Sequence, residues 1–173
     1  MNEKNKKELH TAILTGLKSK ESKVVIDSIN QLREEGKPED IAILLDMLLV
    51  NHDEEIQHTI LKFLADIKDK KAGQIFMDAI ANEKYKGIRK NLVGICWESS
   101  IDFTDYVPTF IDLLIESDFE TSFEAFTVIE NLTGVIPEDV KEKEKSKLKE
   151  AIADAAENRK GMLHEAIHII DQI

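Results

Sequence analysis

The chain has 173 residues, a formal net charge of −11 and 42% hydrophobic residues, which is the length and composition of one globular domain. Its single cysteine excludes an internal disulfide framework and a cysteine-only zinc site. No apolar run approaches the roughly 18 residues of a membrane span, and the first residues lack the apolar core of a signal peptide. We therefore expect a cytoplasmic protein.

Apolar residues recur every three or four positions along the whole chain, and no segment alternates with the period of a β-strand. This spacing is typical of amphipathic helices. It predicts an all-α fold of about ten helices. In chain order, these lie near residues 4–18, 22–35, 39–50, 53–68, 71–83, 86–99, 104–116, 119–132, 138–157 and 159–172.

The segments between these helices contain residues that start or stop a helix. Gly36 is predicted to end the second helix in a left-handed conformation. Pro108 places the start of the seventh helix no earlier than about Thr104, and Pro38 and Pro137 also lie near helix starts. The connections span two to five residues, which predicts antiparallel hairpins. The N-cap candidates are Ser22, Asp53, Asp69 and Asp118.

A weak repeat relates the second helices of these hairpins. The pair Ile56 and Ile60 recurs as Ile88 and Leu92, a shift of 32 positions, and other apolar pairs recur at shifts of 31 to 35. A drifting period of this length with two helices per unit predicts an α-solenoid, in which neighbouring hairpins complete each other's core. An irregular helical bundle is the alternative.

Two segments resemble the HEAT repeat. Residues 41–48 followed by 51–56 have its layout of helix, short acidic turn and second helix, and residues 107–114 followed by 117–120 repeat that layout with an early proline. Ile88 and Arg89 resemble the apolar–arginine pair that begins the family's second helix. The resemblance implies a single domain over 1–173 with about five HEAT-like hairpins, and a small cytosolic protein of the bacterial type. It covers residues 20–135 best and 136–173, the last repeat, least.

HEAT-like proteins are mostly scaffolds that bind other proteins along a curved surface, and the resemblance implies the same role here. Residues 141–150 are an almost wholly polar run of alternating charge. This run is compatible with a solvated helix laced by opposite charges, and a flexible linker is the alternative. The structure of residues 141–160 therefore stays open at this stage.

The strongest enzymatic signal lies near the end of the chain. The segment from His164 to His168 matches the His-Glu-x-x-His pattern of zinc proteases, in which two imidazoles one turn apart share a metal. The usual third ligand is missing, because five residues follow His168 and only Asp171 among them could coordinate. We therefore expect no metal and no cofactor, with a metal-dependent enzyme or zinc-binding protein using His164 and His168 as the alternative function. Cys96, inside an apolar stripe, is predicted to be buried rather than nucleophilic.

The charge is distributed unevenly along the chain. Residues 1–90 contain 16 basic and 16 acidic residues, whereas residues 91–173 contain 7 basic and 18 acidic ones. Residues 91–140 hold 11 carboxylates, no lysine or arginine, and seven of the ten aromatic residues. An acidic protein disfavours nucleic acid and anionic membranes as partners. The pattern favours a basic protein or peptide partner, and a merely solvated acidic surface is the alternative.

The helical period suggests where such a partner would bind. On the eighth helix, Phe119, Phe123, Phe126 and Ile129 are predicted to face inward, which leaves a polar stripe on the opposite side. The sequence thus predicts a non-enzymatic interaction module with an acidic concave groove, and it leaves the oligomeric state open. The predicted partner-binding residues are Asn91, Gly94, Trp97 and Glu98 on the sixth helix, and Glu120, Glu124, Thr127 and Asn131 on the eighth.

Overall fold

The computed structural model describes residues 3–173, which form ten α-helices and, within that range, no strand. Two 3-10 segments, Glu83–Ile88 and Thr104–Tyr106, lead directly into α6 and α7. The predicted all-α class is confirmed. The helices are α1 (Glu3–Gly16), α2 (Ser22–Glu35), α3 (Asp40–Val50), α4 (Glu54–Ala65), α5 (Lys71–Ala81), α6 (Arg89–Glu98), α7 (Val107–Glu116), α8 (Phe119–Glu130), α9 (Glu138–Asp154) and α10 (Glu157–Gln172).

Two of the predicted N-caps are confirmed. The carboxylate of Asp53 accepts hydrogen bonds from the backbone N–H groups of Glu55 and Ile56 at the start of α4. Asp118 accepts one from Thr121 at the start of α8, and this backbone bond lowers the pKa of the Asp118 carboxyl from its usual value. Both carboxylates satisfy N–H groups that have no partner inside the helix, which fixes where these helices begin.

Two other predictions about helix ends are wrong. Ser22 is the first residue of α2 rather than its cap, because its hydroxyl donates instead to the charged Oδ2 of Asp53 at 2.6 Å. Gly36 has an extended backbone with φ of −73° rather than a left-handed one. Its N–H bonds the carbonyl of Leu32, so the helix ends without positive φ, as does every other helix in the described residues.

Each helix packs against its neighbour in sequence to form a hairpin: α1 with α2, α3 with α4, α5 with α6, α7 with α8, and α9 with α10. The second helices also contact one another in order, α2 with α4, α4 with α6, α6 with α8, and α8 with α10. We call these five helices the even-helix row. A cavity of about 320 Å³ lies between α1 and α3, and one of about 420 Å³ is lined by residues of α5 to α8. The first helices α7 and α9 contact each other directly.

Hydrogen bonds between hairpins join residues about one repeat apart. Arg33 bonds Asp66, 33 positions along the chain, and Tyr106 bonds Gln74 at a separation of 32. These separations match the drifting period of the apolar residues. The longest such bond runs from Arg159, in the last hairpin, to the backbone carbonyl of Ile115, 44 positions away.

The apolar core is one contiguous cluster along the helices. Phe103 packs edge-on against Phe110, with ring centroids 6.1 Å apart, an arrangement that aromatic quadrupoles favour. Burying each such side chain contributes about 1.5–3 kcal/mol. Every helix from α2 to α10 contributes at least one completely buried side chain: Ile29, Leu44, Ile60, Phe76, Leu92, Phe110, Ile129, Leu148 and Ile170.

The polar run of residues 141–150 lies within α9 and is neither a linker nor fully solvated. Glu144 and Leu148 have no exposed surface. Among the described residues, neither carboxylate oxygen of Glu144 has a hydrogen-bond partner. The nearest charge is Lys147 Nζ, 2.9 Å from Oε2, which also bonds Asp112 of α7 at 2.6 Å. Burial works against the charged ammonium of Lys147, but the two carboxylates outweigh it and raise its pKa.

Candidate interaction surface on α6 and α8

The predicted binding residues lie on two helices that pack against each other in the even-helix row. The indole Nε1–H of Trp97 on α6 donates a hydrogen bond of 2.7 Å to Oε2 of Glu124 on α8. Gly94, one turn earlier on α6, lies beside this pair, since a Cβ added to it would stand 3.4 Å from the same carboxylate oxygen. The structure therefore brings Gly94, Trp97 and Glu124 into one place.

A cavity of about 90 Å³ opens beside this pair. Its polar lining includes the carboxylates of Glu98 and Glu124 and the amide of Asn91, and no side chain rises from Gly94. Glu98 is exposed and forms no ion pair within residues 3–173. The remaining lining residues are Leu61, Lys90 and Ile95.

A cation missed by the sequence analysis lies at the edge of this surface. Lys90 Nζ stands 2.8 Å from Oε2 of Glu120, and this hydrogen bond raises the pKa of Lys90, helped by the charges of Glu124 and Asp118. Lys90 immediately precedes the stretch without cations, and the packing of α6 on α8 brings it to a residue 30 positions later. The separation equals about one repeat, which is the signal that could have identified the pair.

Two further cations reach the acidic stretch from the last hairpin. Lys147 pairs with Asp112 at 2.6 Å. Arg159 donates to the carbonyls of Ile115 and Ser117, each at 2.8 Å, where α7 ends. Cations from outside the acidic stretch therefore bond to more of it than the sequence suggests. Eight of its carboxylates are exposed and have no ion-pair partner among the described residues: Glu98, Asp102, Asp105, Glu116, Asp118, Glu130, Glu138 and Asp139.

The predicted inward orientation of the α8 phenylalanines is wrong for two of them. Phe126 is buried, but Phe119 and Phe123 are 46% and 52% exposed. The smaller Ser122 is buried in the core instead. Its hydroxyl can be buried because it donates a hydrogen bond to the carbonyl of Leu113. Together with Trp97, 38% exposed, the two rings put three exposed aromatic side chains on α6 and α8.

The last two predicted residues on this surface bond within their own helix. The Thr127 hydroxyl donates to the carbonyl of Phe123, and the Asn131 amide donates to the carbonyl of Thr127. Asn131 lies one residue beyond the end of α8. Below, the α6–α8 surface means the eight predicted residues together with Lys90, Phe119 and Phe123.

The two histidines of the zinc hypothesis lie on the exposed face of α10, one turn apart. His168 Nε2 is 2.7 Å from the side-chain nitrogen of Gln172. Asp171, the third ligand considered from the sequence, pairs with Lys145 at 2.6 Å. Within residues 3–173, no group of three or more His, Cys, Asp or Glu side chains is placed to hold a metal ion.

Cys96 is buried in α6, and its thiol donates to the carbonyl of Leu92. Burial raises the pKa of this thiol well above its usual range, so the thiolate that nucleophilic catalysis requires is disfavoured. Among the described helices, none has both the length and the apolar composition needed to cross a bilayer. No protein-family model, curated protein or solved structure matches this chain.

Proposed function

We propose that this protein is a non-enzymatic interaction module of the HEAT-like α-solenoid type, located in the cytoplasm. Its α6–α8 surface binds a basic segment of a protein or peptide. The observation that carries the proposal is the presence of exposed aromatic rings and unpaired carboxylates on the same two adjacent helices. Aromatic side chains supply much of the binding energy in protein interfaces, and the carboxylates select for positive charge.

The packing of the hairpins supports the architecture of this proposal. The five helices of the even-helix row contact one another in order, whereas a cavity lies between the first helices α1 and α3. A double row of helices packed more closely on one side curves towards that side. The α6–α8 surface would then lie on the concave face, where a bound segment can contact several hairpins at once.

The distribution of charge supports a basic partner. Lys90 neutralises Glu120 in part, but Glu98 and Glu130 on α6 and α8 are exposed without a cation in the described residues. Carboxylates without neighbouring cations repel one another, and a positively charged segment relieves that repulsion. An interaction of this kind associates faster at low ionic strength, because salt screens charges more than about 8 Å apart.

The test is affinity capture of basic proteins from a native lysate, with the bound proteins identified by mass spectrometry. The double variant Glu98→Lys/Glu120→Lys reverses two charges of the α6–α8 surface while leaving the Trp97–Glu124 bond in place. We expect it to lose the captured proteins and to retain its helicity, because exposed substitutions change stability by only about 0.5 kcal/mol.

The matched control is Glu34→Lys/Glu35→Lys, which changes the net charge equally near the end of α2. This variant should retain the captured proteins, and their retention should weaken as salt rises. Equal losses in both double variants would mean that only net charge matters. Unchanged capture by Glu98→Lys/Glu120→Lys would place the binding site elsewhere. Either result contradicts the proposal.

A further inference from the structure

The cavity on the α6–α8 surface has the dimensions and chemistry to hold one side chain of a bound segment. Its volume is about 90 Å³, several times the minimum that a single water molecule needs. Leu61 and Ile95 form the apolar part of its lining, and the carboxylates of Glu98 and Glu124 contribute negative charge. A chain of methylene groups that ends in a cation matches this combination of apolar and acidic surface.

The carboxylates retain the capacity to accept further hydrogen bonds. Glu124 uses Oε2 to accept the bond from Trp97, and a carboxylate can accept about four hydrogen bonds in all. Glu98 has no ion-pair partner in the described part of the chain. Lys90, the cation that lines the cavity, is engaged with Glu120 at 2.8 Å.

Gly94 keeps the cavity open. A Cβ at this position would stand 3.4 Å from Glu124 Oε2 and 4.0 Å from Trp97 Nε1, so even a methyl group would enter the space between the carboxylate and the indole. Glycine in the middle of a helix is unfavourable for helix stability. Gly94 leaves open space beside Glu124 and Trp97, and this space for a ligand is a reason for glycine here despite the loss of helix stability.

We propose that the cavity over Gly94 receives a single arginine side chain of the bound segment, with its guanidinium group between the carboxylates of Glu98 and Glu124. This inference rests on the proposed function. Arginine is favoured over lysine because its planar guanidinium carries five donors and binds two acceptors at once. The exposed rings of Phe119 and Phe123, four residues apart on α8, would contact apolar residues elsewhere in the bound segment.

Trp97 is the only tryptophan in the chain, and its indole N–H bonds Glu124, which lines the cavity, so its fluorescence and its indole N–H resonance report on changes at that carboxylate. The probes are three capped pentapeptides of sequence Leu-Ala-X-Ala-Leu, in which X is arginine, lysine or the neutral analogue citrulline. We expect saturable changes with the arginine peptide and affinities lower by about tenfold with citrulline and severalfold with lysine.

The matched variant is Gly94→Ala, which places a methyl group in the cavity and favours the helix, and circular dichroism verifies that it folds. We expect it to lose about tenfold in affinity for the arginine peptide and to keep its capture of basic proteins in part. Equal affinities for the arginine and lysine peptides, no response to the arginine peptide, or an unchanged affinity in Gly94→Ala would overturn the arginine site. If lysate capture still depended on Glu98 and Glu120 in any of these cases, the proposed function would stand without it.

Discussion

The buried carboxylate of Glu144 makes α9 sensitive to the loss of one lysine. Glu144 has no exposed surface. Among the described residues, neither of its oxygens has a hydrogen-bond partner, and Lys147 supplies the only cation within 3 Å. Lys143 Nζ is 4.0 Å away, on a side chain that is 73% exposed. Replacing Lys147 with methionine keeps the apolar stem and leaves a buried negative charge without its partner.

The expected loss follows from the burial of the pair. Removing one partner of a buried ion pair costs about 3–5 kcal/mol. Because Lys147 is one-third exposed, water partly replaces the lost ammonium, and we expect about 2–3 kcal/mol for Lys147→Met. Replacing Glu144 with methionine removes the buried charge instead and is expected to be neutral or to stabilise by roughly 1–2 kcal/mol.

Urea denaturation of both single variants and of the double variant measures these differences. Lys147→Met should lower the midpoint of thermal unfolding by roughly 4–10 °C for a chain of this size, and adding Glu144→Met should restore it. Lys149→Met is the control on the same helix, because Lys149 is exposed and forms no ion pair among the described residues. A larger loss for Glu144→Met than for Lys147→Met would refute the reasoning.

Three further substitutions concern Gly94 of α6, Gly134 after α8 and the N-cap of α8. Gly94→Ala should raise the free energy of unfolding by up to about 1 kcal/mol, because its Cβ would lie in ordinary contact with the flexible end of Glu124 and with the Trp97 indole. Gly134→Ala should lower it, since its Cβ would stand 2.7 Å from Thr104 Oγ1; thermal melts compare the two, and equal shifts would contradict the prediction. Asp118→Ala should cost about 1 kcal/mol at neutral pH. The pKa of Asp118 is lower in the folded chain, so this cap stabilises above the unfolded carboxyl's pKa and loses its effect as pH falls through the lower folded pKa. Urea melts at neutral pH and near pH 3 should therefore show a smaller difference from the unsubstituted protein in acid.

Helix positions were predictable from the sequence because they depend on local patterns. The apolar period and the caps Asp53 and Asp118 place most helix ends within three residues of the structure. Pro108 also fixed the seventh helix correctly, since a 3-10 segment begins at Thr104 and α7 begins at Val107. Each of these signals acts within one or two turns, where neighbouring hairpins have little influence.

Contacts between hairpins were not predictable from the sequence. Lys90 was counted outside the acidic stretch, yet packing places it on Glu120. The polar sequence around Glu144 predicts a solvated helix. Glu144 is buried because α9 packs on α7 and α10. The orientation of Phe119 and Phe123 depended on whether Ser122 could find acceptors for a buried hydroxyl, which it does on the neighbouring helix.

Hydrogen bonds that span one repeat have a consequence for how the chain folds. Within the described residues, the longest hydrogen bond between side chains of different hairpins joins Tyr85 to Asp46, 39 positions apart. Short loops cost little entropy to close, and proteins dominated by such local contacts fold rapidly. Each hairpin can therefore dock on the one before it as it leaves the ribosome, without waiting for the C-terminal half to be made.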